Sequence, residues 1–305
     1  MSEVRTAVVP SLAKINLDLR VLYKRPDGFH ELRTVFQTIS LADKIGIRYT
    51  PGGTTDLTIT GNIEIPDNLI LRAAEAIFQL TKAKGSVAFA LDKKIPMGGG
   101  LGGGSSNAAA VLLALPVLLG KHVKPAKLHE IAAELGSDVP FFLYGGTALG
   151  LGRGTELFPL ADAPATRGLL VATGVHVTTA DAYRALQREK GGVAQGGYFE
   201  PAEWATAGIN DFERAVYAQH PPLERIARRL KRAGAVTVRM SGSGSSIFSV
   251  FSDTAAEAMA LQQFKGFDVH PVAFISRRQY QSLWWNCLKR HTLIKVWPPR
   301  SRYEQ

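Results

Sequence analysis

The sequence predicts an α/β (α+β) protein of two lobes, and three observations carry that prediction. The chain has 305 residues, of which 46% are hydrophobic, enough for one large or two medium domains, and we expect two lobes. Segments that alternate apolar and polar residues, as strands do, are interspersed with Ala- and Leu-rich segments typical of helices. Six glycines fill the seven positions from Gly98 to Gly104, between one such strand and one such helix.

The first predicted strand carries polar side chains on one face. Apolar residues alternate over positions 15–21, which leaves Lys14, Asn16 and Asp18 on the opposite face. Lys14 and Asn16 therefore point the same way. The turn residues Arg-Pro-Asp-Gly at 25–28 place the following residues on a loop tip. The residues at this tip are Phe29 and His30.

Strands and helices alternate through the rest of the first half. Asp67 or Asn68 is a suitable N-cap for a helix that runs to about Lys82. The strand that precedes the glycines covers 87–91, and the helix that follows them covers 105–115. Further strands are expected at 34–40, 44–50 and 56–60.

The remaining elements follow from the same patterns. A helix at 125–136 is followed by Asp138, which lies at a junction before the apolar segment 141–144. The loop Ser-Gly-Ser-Gly-Ser-Ser at 241–246 is either a hairpin or a close backbone approach to a ligand, and both interpretations stay open. The second half is expected to contain a strand at 168–173, a helix at Thr179–Arg188, a helix at 222–232 closed by Gly234, and strands at 236–240 and 247–251.

The glycine run predicts a phosphate-binding loop. Glycines let backbone N–H groups approach a ligand closely, and the first turn of the following helix adds positive potential. The alternative, a flexible linker, is disfavoured by the flanking strand and helix. A Walker A loop is excluded because no lysine precedes Ser105 and Ser106. The spacing of Gly98, Gly100 and Gly103 matches a dinucleotide loop only weakly, since no acidic residue lies about 20 positions further on.

Composition excludes several classes of protein. The only cysteine, Cys287, rules out internal disulfides and cysteine zinc sites, and the seven histidines show no paired ligand spacing. The N-terminus lacks the pattern of a signal peptide. The apolar run 108–119 is shorter than the roughly 20 residues that cross a bilayer. We expect a cytoplasmic protein without a membrane partner.

The net charge of +10 is concentrated at the C-terminus. Residues 276–305 hold seven lysines and arginines, three tryptophans and one acid, Glu304. A basic, aromatic segment can bind nucleic acid or an acidic membrane, pack on the body of the protein, or remain disordered. We expect no nucleic-acid partner and a non-catalytic appendage, removable after Ser282 without loss of activity.

Three patches of sequence occur in the order and spacing of a known family. They are PSLAKINL at 10–17, PMGGGLGGGSSNAA at 96–109 and SGSGSSIF at 241–248, supported by RPDGFHEL, DNLILRAA and LGSDVPFF. With these patches the chain resembles the GHMP kinases from about residue 8 to 276. The resemblance implies a two-lobed fold with an active-site cleft between the lobes. The implied division is a nucleotide-binding lobe at 1–158, a substrate lobe at 159–275 and a basic extension at 276–305.

The resemblance implies an ATP-dependent kinase of a small molecule, with ATP and Mg²⁺ as cofactors. Within the family the motifs imply transfer to the 2-hydroxyl of a cytidine diphosphate conjugate of methylerythritol, in the non-mevalonate route to isoprenoid precursors. Another GHMP small-molecule kinase is the alternative, and a dinucleotide oxidoreductase or a basic nucleic-acid-binding protein would be of a different class. The magnesium ligands and the oligomeric state stay open.

Asp138 and Lys14 are the catalytic residues that the resemblance implies. Phosphoryl transfer needs an oriented hydroxyl, removal of its proton and stabilisation of developing charge. Asp138 would accept the proton, while Lys14 would orient the hydroxyl and stabilise the oxygen charge. As isolated residues they would be a helix cap and a solvated charge on a strand, and the matched motifs favour the catalytic interpretation.

The resemblance also implies two sets of binding residues. The ATP set is Asn68, Lys93, Pro96, Met97, Gly98, Gly99, Gly100, Leu101, Gly102, Gly103, Gly104, Ser105, Ser106 and Asn107. The substrate set is Asn16, Phe29, His30, Phe36, Thr179, Tyr183, Gly242, Ser243 and Gly244. Phe29, His30 and Tyr183 would stack on cytosine and bond its polar edge if the lobes bring them together. Phe29 stands where the family often has tyrosine, so a contact through a phenol hydroxyl is lost. Lys93 could otherwise be a solvated lysine.

Overall fold

The larger of two β-sheets is built from the first half of the chain. The computed structural model describes residues 3–186, 203 and 207–304. The strands of this sheet are β1 (Arg5–Lys24), β2 (His30–Pro51), β3 (Thr55–Gly61), β4 (Gly85–Asp92), β5 (Thr147–Gly152) and β6 (Glu156–Pro159). They lie in the order β3-β4-β2-β5-β6, with β1 paired to β2. The β3–β4 pair is parallel and the other pairs are antiparallel.

The smaller sheet is antiparallel and comes from the second half. Its strands are β7 (Arg167–Ala172), β8 (Thr237–Met240), β9 (Ile247–Val250) and β10 (Asp268–Ala273). They lie in the order β10-β7-β9-β8. The predicted strand pair on either side of the 241–246 loop is therefore confirmed as β8 and β9, which are antiparallel neighbours.

The helices cover both sheets. They are α1 (Leu69–Thr81), α2 (Gly103–Leu119), α3 (Pro125–Leu135), α4 (Val139–Phe142), α5 (Thr179–Ala185), α6 (Phe212–Gln219), α7 (Pro221–Arg232), α8 (Thr254–Gln263) and α9 (Arg277–Leu288). The predicted caps of α1 are confirmed, because the Asn68 side chain accepts a hydrogen bond from the Ile70 N–H and Lys82 is the C-cap. The predicted end of α5 at Arg188 lies outside the described residues.

Several predicted boundaries differ from the structure, and two of the differences have a clear physical reason. The strands expected at 34–40 and 44–50 form one continuous strand, β2, because β1 pairs with both halves and with the residues between them, as in the Ser11–Asp43 pair. The helix expected from residue 105 begins at Gly103. Gly102 adopts the left-handed conformation with φ of 67°, which turns the chain directly into the helix.

The main core lies between the larger sheet and the helices α1, α2 and α3. Helix α2 is buried on all sides from Ser106 to Leu119, so the apolar run of the sequence is core. In the part of the chain that the structure describes, no helix has the length and apolar character of a membrane span.

The C-terminal extension packs on the body of the first lobe. Tyr280, Trp284 and Leu288 of α9 are buried in the main core, and Trp297 packs against it. Of the possibilities open for this segment, the structure therefore shows packing. The sequence did not reveal this, because the apolar residues of α9 acquire a partner only from strands and helices distant in sequence.

Candidate active site

A cleft of about 620 Å³ lies where the two sheets meet. It brings together residues from both halves of the chain, since α5 and the β8–β9 loop line it along with β1, the glycine loop and the segment before α4. The predicted site residues that line it are Lys14, Asn16, Phe29, His30, Phe36, Gly100, Gly102, Ser105, Asp138, Thr179, Tyr183, Gly242 and Ser243.

Lys14 and Asp138 form an ion pair in this cleft. A register shift between Leu12 and Lys14 interrupts the β1–β2 pairing, and the Lys14 N–H donates instead to the Leu101 carbonyl of the glycine loop at 3.0 Å. The Lys14 side chain is 4% exposed, and its Nζ lies 3.3 Å from Asp138 Oδ2. The lysine is thus a buried cation held beside the loop, and it is not a solvated strand residue.

Asp138 has the position of a helix cap without acting as one. It is the N-cap residue of α4, but its side chain makes no capping hydrogen bond. The carboxylate is 33% exposed and faces the cleft. Burial, and second the charge of Asp138, raise the pKa of Tyr183 to about 12. Because no helix N–H bonds to the Asp138 carboxylate and a third of it is exposed, it keeps acceptor capacity that a substrate hydroxyl can use.

A chain of hydrogen bonds also orients the Lys14 ammonium. Lys14 Nζ donates to Asn16 Oδ1 at 2.8 Å, and Asn16 Nδ2 donates to Thr34 Oγ1 at 2.7 Å. Thr34 Oγ1 in turn donates to the Asp18 carbonyl at 2.8 Å. Because its one hydroxyl proton is used in this way, Thr34 can only accept from Asn16, which turns the amide oxygen of Asn16 toward Lys14. Sequence patterning missed Thr34.

The glycine loop lies close to Lys14 because its glycines have no side chains. Gly98, Gly100 and Gly102 all have positive φ, at 67°, 73° and 67°. A Cβ atom on Gly102 would lie 3.2 Å from Lys14 Cγ and 2.9 Å from the Phe142 ring. The helix α2 begins immediately after this position, so its unpaired N–H groups face the same cleft as Lys14.

The second small-residue loop, 241–246, is a hairpin between β8 and β9 that lies against the glycine loop, while its close approach to a ligand stays a prediction. Its Ser241 hydroxyl donates to the Gly100 carbonyl at 2.9 Å, and the Ser246 N–H donates to the Gly99 carbonyl at 3.2 Å. A Cβ atom on Gly100 would overlap the Ser241 carbonyl. The two loops are thus joined by one backbone hydrogen bond and one hydrogen bond from a serine side chain.

The two serines after the glycines have different surroundings. Ser105 lines the cleft. Ser106 and Asn107 are each 2% exposed, and the Ser11 hydroxyl contacts Ser106 Oγ at 2.8 Å and Asn107 Oδ1 at 2.6 Å. These contacts tie α2 to β1. Their predicted contact with ATP stays a prediction.

Lys93 is buried in an ion pair of its own. Its Nζ lies 2.9 Å from Asp43 Oδ2, with the lysine side chain 7% exposed, and donates to the Ile95 carbonyl at 2.5 Å. The alternative interpretation of Lys93 as a solvated lysine is therefore wrong. Asn68 caps α1, and Met97 at the rim of the glycine loop is 56% exposed. Their ATP contacts, and those of Pro96 and Gly104, also stay predictions.

Aromatic side chains form the far end of the cleft. The His30 and Tyr183 rings stack with centroids 4.4 Å apart and planes 18° apart, so no base fits between them. Phe29 lies instead under the Arg153 guanidinium, 3.7 Å from its ring centroid. Burial, followed by the charge of Lys24, lowers the pKa of His30. The sequence patterns gave no indication of Arg153, which also lines the cleft.

The described residues contain no cluster of three or more His, Cys, Asp or Glu side chains that could hold a metal ion.

Comparisons with known proteins agree with this geometry. The family model for the GHMP kinases N terminal domain matches residues 68–146, and that for the GHMP kinases C terminal domain matches residues 200–265. The chain is 50% identical over 314 residues to a protein of Solibacter usitatus named 4-diphosphocytidyl-2-C-methyl-D-erythritol kinase, with 99% of each chain covered. It is 39% identical to the protein of that name from Geobacter sulfurreducens, with 83% of this chain and 92% of the other covered.

Solved structures show the same fold. A crystal structure of 4-(cytidine 5'-diphospho)-2C-methyl-D-erythritol kinase matches with a TM-score of 0.75 and 33% identity, over 89% of this chain and 99% of that chain. A homoserine kinase from Cytophaga hutchinsonii matches with a TM-score of 0.66 and 19% identity, over 92% and 97%, which is a likeness of fold.

Proposed function

The chain belongs to the GHMP kinase family and is an ATP-dependent kinase, and we propose that it phosphorylates the 2-hydroxyl of 4-diphosphocytidyl-2-C-methyl-D-erythritol. This activity would place it in the non-mevalonate route to isoprenoid precursors. The observation that carries the proposal is the Lys14–Asp138 pair, which faces the glycine loop across one cleft and leaves the carboxylate open. We also propose that residues 1–158 form the first lobe and residues 159–275 the second.

ATP would bind with its phosphates on the glycine loop. The backbone N–H groups there and the first turn of α2 favour an anion, and the Ser105 hydroxyl adds a donor at the same place. Mg²⁺ bound together with ATP would supply neutralisation of the phosphate charge during transfer. Within the chain, Lys14 supplies the fixed positive charge that faces the transferred group.

Asp138 would act as the base toward the acceptor hydroxyl. Its carboxylate accepts the proton of the 2-hydroxyl while the hydroxyl oxygen forms its bond to the γ-phosphorus and the bond to the ADP oxygen breaks. Lys14 holds the hydroxyl in line from the opposite side, and Asn16 keeps the ammonium in place. General base catalysis of this kind contributes roughly 10² to 10⁴ in rate.

The far end of the cleft suits a cytidine diphosphate. Burial keeps His30 neutral in ordinary conditions, since its pKa is lowered, and a neutral imidazole both donates and accepts toward a base edge. Because His30 and Tyr183 already touch, the base would stack on an outer face of this pair. Arg153 adds a cation for the diphosphate.

The test is a phosphoryl-transfer assay with a panel of acceptors. Release of ADP from ATP would be measured with the cytidine conjugate, mevalonate, homoserine and galactose at equal concentrations. We expect turnover with the cytidine conjugate alone and identification of the product as its 2-phosphate. A higher kcat/KM with another acceptor, or no turnover of the cytidine conjugate, would contradict the proposal.

A further inference from the structure

The C-terminal extension reaches the back of the segment that carries Asp138. Tyr280 is 2% exposed, and its hydroxyl donates to the Phe142 carbonyl at 2.5 Å. Trp297 Nε1 donates to the Leu143 carbonyl at 2.9 Å. The Tyr280 and Trp297 rings also contact each other edge to face, with centroids 6.0 Å apart. Two donors from the extension thus meet two consecutive carbonyls of one segment.

These two carbonyls lie at the C-terminal end of α4, whose N-cap is Asp138. A helix end leaves carbonyls without partners inside the helix, and a helix of four residues is far too short to be stable by itself. Its orientation must therefore come from contacts with the rest of the protein. One helical turn of about 5.4 Å separates its two ends, so a rotation at the Phe142 end moves Asp138.

The same segment touches the phosphate-binding side of the cleft. The Phe142 ring lies where a Cβ atom on Gly102 would come within 2.9 Å of it. On the other side, Gly145 has a φ of 65°, and a Cβ atom there would overlap the Tyr280 ring. The backbone of 142–145 is therefore confined between the extension and the glycine loop.

We propose that Tyr280 and Trp297 are positioning residues of the kinase, which hold α4 so that the Asp138 carboxylate stays 3.3 Å from Lys14 Nζ. The inference rests on the proposed function, because it concerns the proton that Asp138 accepts. It assigns to the extension a part in turnover, in place of the dispensable appendage that the sequence suggested. A misplacement of about 1 Å can lower a rate by up to 10².

Tyr280→Phe tests the inference because it removes one hydroxyl and keeps the ring. Tyr303→Phe is the matched control: its hydroxyl contacts His291 Nδ1 at 3.2 Å within the same extension, away from α4. We expect Tyr280→Phe to lower kcat about tenfold with the KM of ATP changed less than about twofold, and Tyr303→Phe to leave both constants unchanged. The kinetics are measured well below the unfolding temperature of each variant.

A double-mutant cycle separates positioning from general support of the fold. If Tyr280 acts through Asp138, then Tyr280→Phe does not further lower the residual rate of Asp138→Asn, because the two losses concern one proton. Equal kcat values for Tyr280→Phe and Tyr303→Phe, or the same tenfold loss in the Asp138→Asn background, would overturn the inference. A wild-type protein without activity on the cytidine conjugate would instead overturn the proposed function, and the inference would fall with it.

Discussion

Two buried lysines flank the glycine loop, and each pairs with an aspartate, but the two pairs differ in what else the carboxylate does. Lys93 lies 2.9 Å from Asp43, whose side chain is fully buried and also accepts hydrogen bonds from the Lys94 and Ile95 N–H groups. Lys14 lies 3.3 Å from Asp138, whose side chain is 33% exposed and caps no helix.

The remaining partners of the aspartate decide whether such an ion pair is structural or reactive. A buried carboxylate that accepts two backbone hydrogen bonds and pairs with a lysine holds two segments together, here the middle of β2 and the chain before the glycine loop. A carboxylate with open acceptor capacity can take a proton from a substrate. Residue types and burial of the lysine are shared by both pairs, so only the remaining partners of the aspartate distinguish them.

The largest expected effect comes from the reactive pair. Asp138→Asn removes the proton acceptor, and we expect kcat to fall about a hundredfold to ten-thousandfold. Since the carboxylate is partly solvated, the free energy of unfolding should fall by less than in Asp43→Asn, although Lys14 is also buried. Steady-state kinetics and urea unfolding measure the two effects. An Asp138→Asn variant that keeps more than a tenth of the wild-type kcat would contradict the reactive role of Asp138.

Loss of the Lys93–Asp43 pair should lower stability more than it lowers turnover. Asp43→Asn leaves the Lys93 ammonium buried without a counter-charge, which should lower the free energy of unfolding by about 3 kcal/mol, while kcat of the folded protein changes only a few-fold. Asp92→Asn is the control, because its pair with Lys94, at 3.7 Å, is half exposed on both sides and contributes about 0 to 1 kcal/mol. Similar unfolding curves for the two variants would argue against a structural role for Asp43.

A smaller effect should follow from loosening Lys14 without touching Asp138. Thr34→Val frees the Asn16 amide to turn, so we expect kcat to fall about tenfold and Thr34→Ser to restore most of it. Thr147→Val is a matched control, because this buried hydroxyl also donates once and accepts once, to Gln37 and from Ala163. A loss of kcat of equal size in the control would show that any buried hydroxyl has this effect.

The smallest effect concerns pH at the far end of the cleft. Burial lowers the pKa of His30 below its usual 6.5, so the folded protein binds this proton less readily than the unfolded chain. The neutral ring, and the stability it contributes, are complete above pH 6.5 and are lost as pH falls below it toward the lowered pKa. We expect the KM of the cytidine conjugate to rise several-fold only in that acidic range.

His30→Gln is the control for this pH dependence. It should remove the change in KM with pH while leaving the KM of ATP unaffected, since the glycine loop lies at the other end of the cleft. A KM that changes between pH 7 and 8 in the wild type and in the variant alike would place the titrating group elsewhere.

Sequence patterns predicted what depends on neighbours in the chain. Strand alternation placed Lys14 and Asn16 on one face, and the glycines with the helix after them marked the loop that faces both. The patterns could not identify Thr34 as the partner of Asn16, 18 residues away, because alternation indicates a face and not the residue opposite. The extension was missed for the same reason, with Tyr280 bonded to a carbonyl 138 residues earlier.

Lys93 shows the limit most clearly. Beside Lys94 in the sequence it has the character of a surface residue, yet its partner lies on β2, a strand whose two halves the sequence patterns separated at the position of Asp43. Pairing of distant strands decides such contacts, and no local property of the chain encodes them.

The seam between Gly99–Gly100 and Ser241–Ser246 has a mechanical consequence. Because the Ser246 N–H donates to the Gly99 carbonyl and the short Ser241 side chain donates to the Gly100 carbonyl, the two lobes are joined there without a long, flexible spacer. These contacts fix the two lobes to each other at the glycine loop, so a rotation of one lobe against the other would first have to break them. The conformation of the glycine loop therefore depends on the second lobe as well as on the first, because two of its carbonyls are hydrogen-bonded to residues of the second lobe.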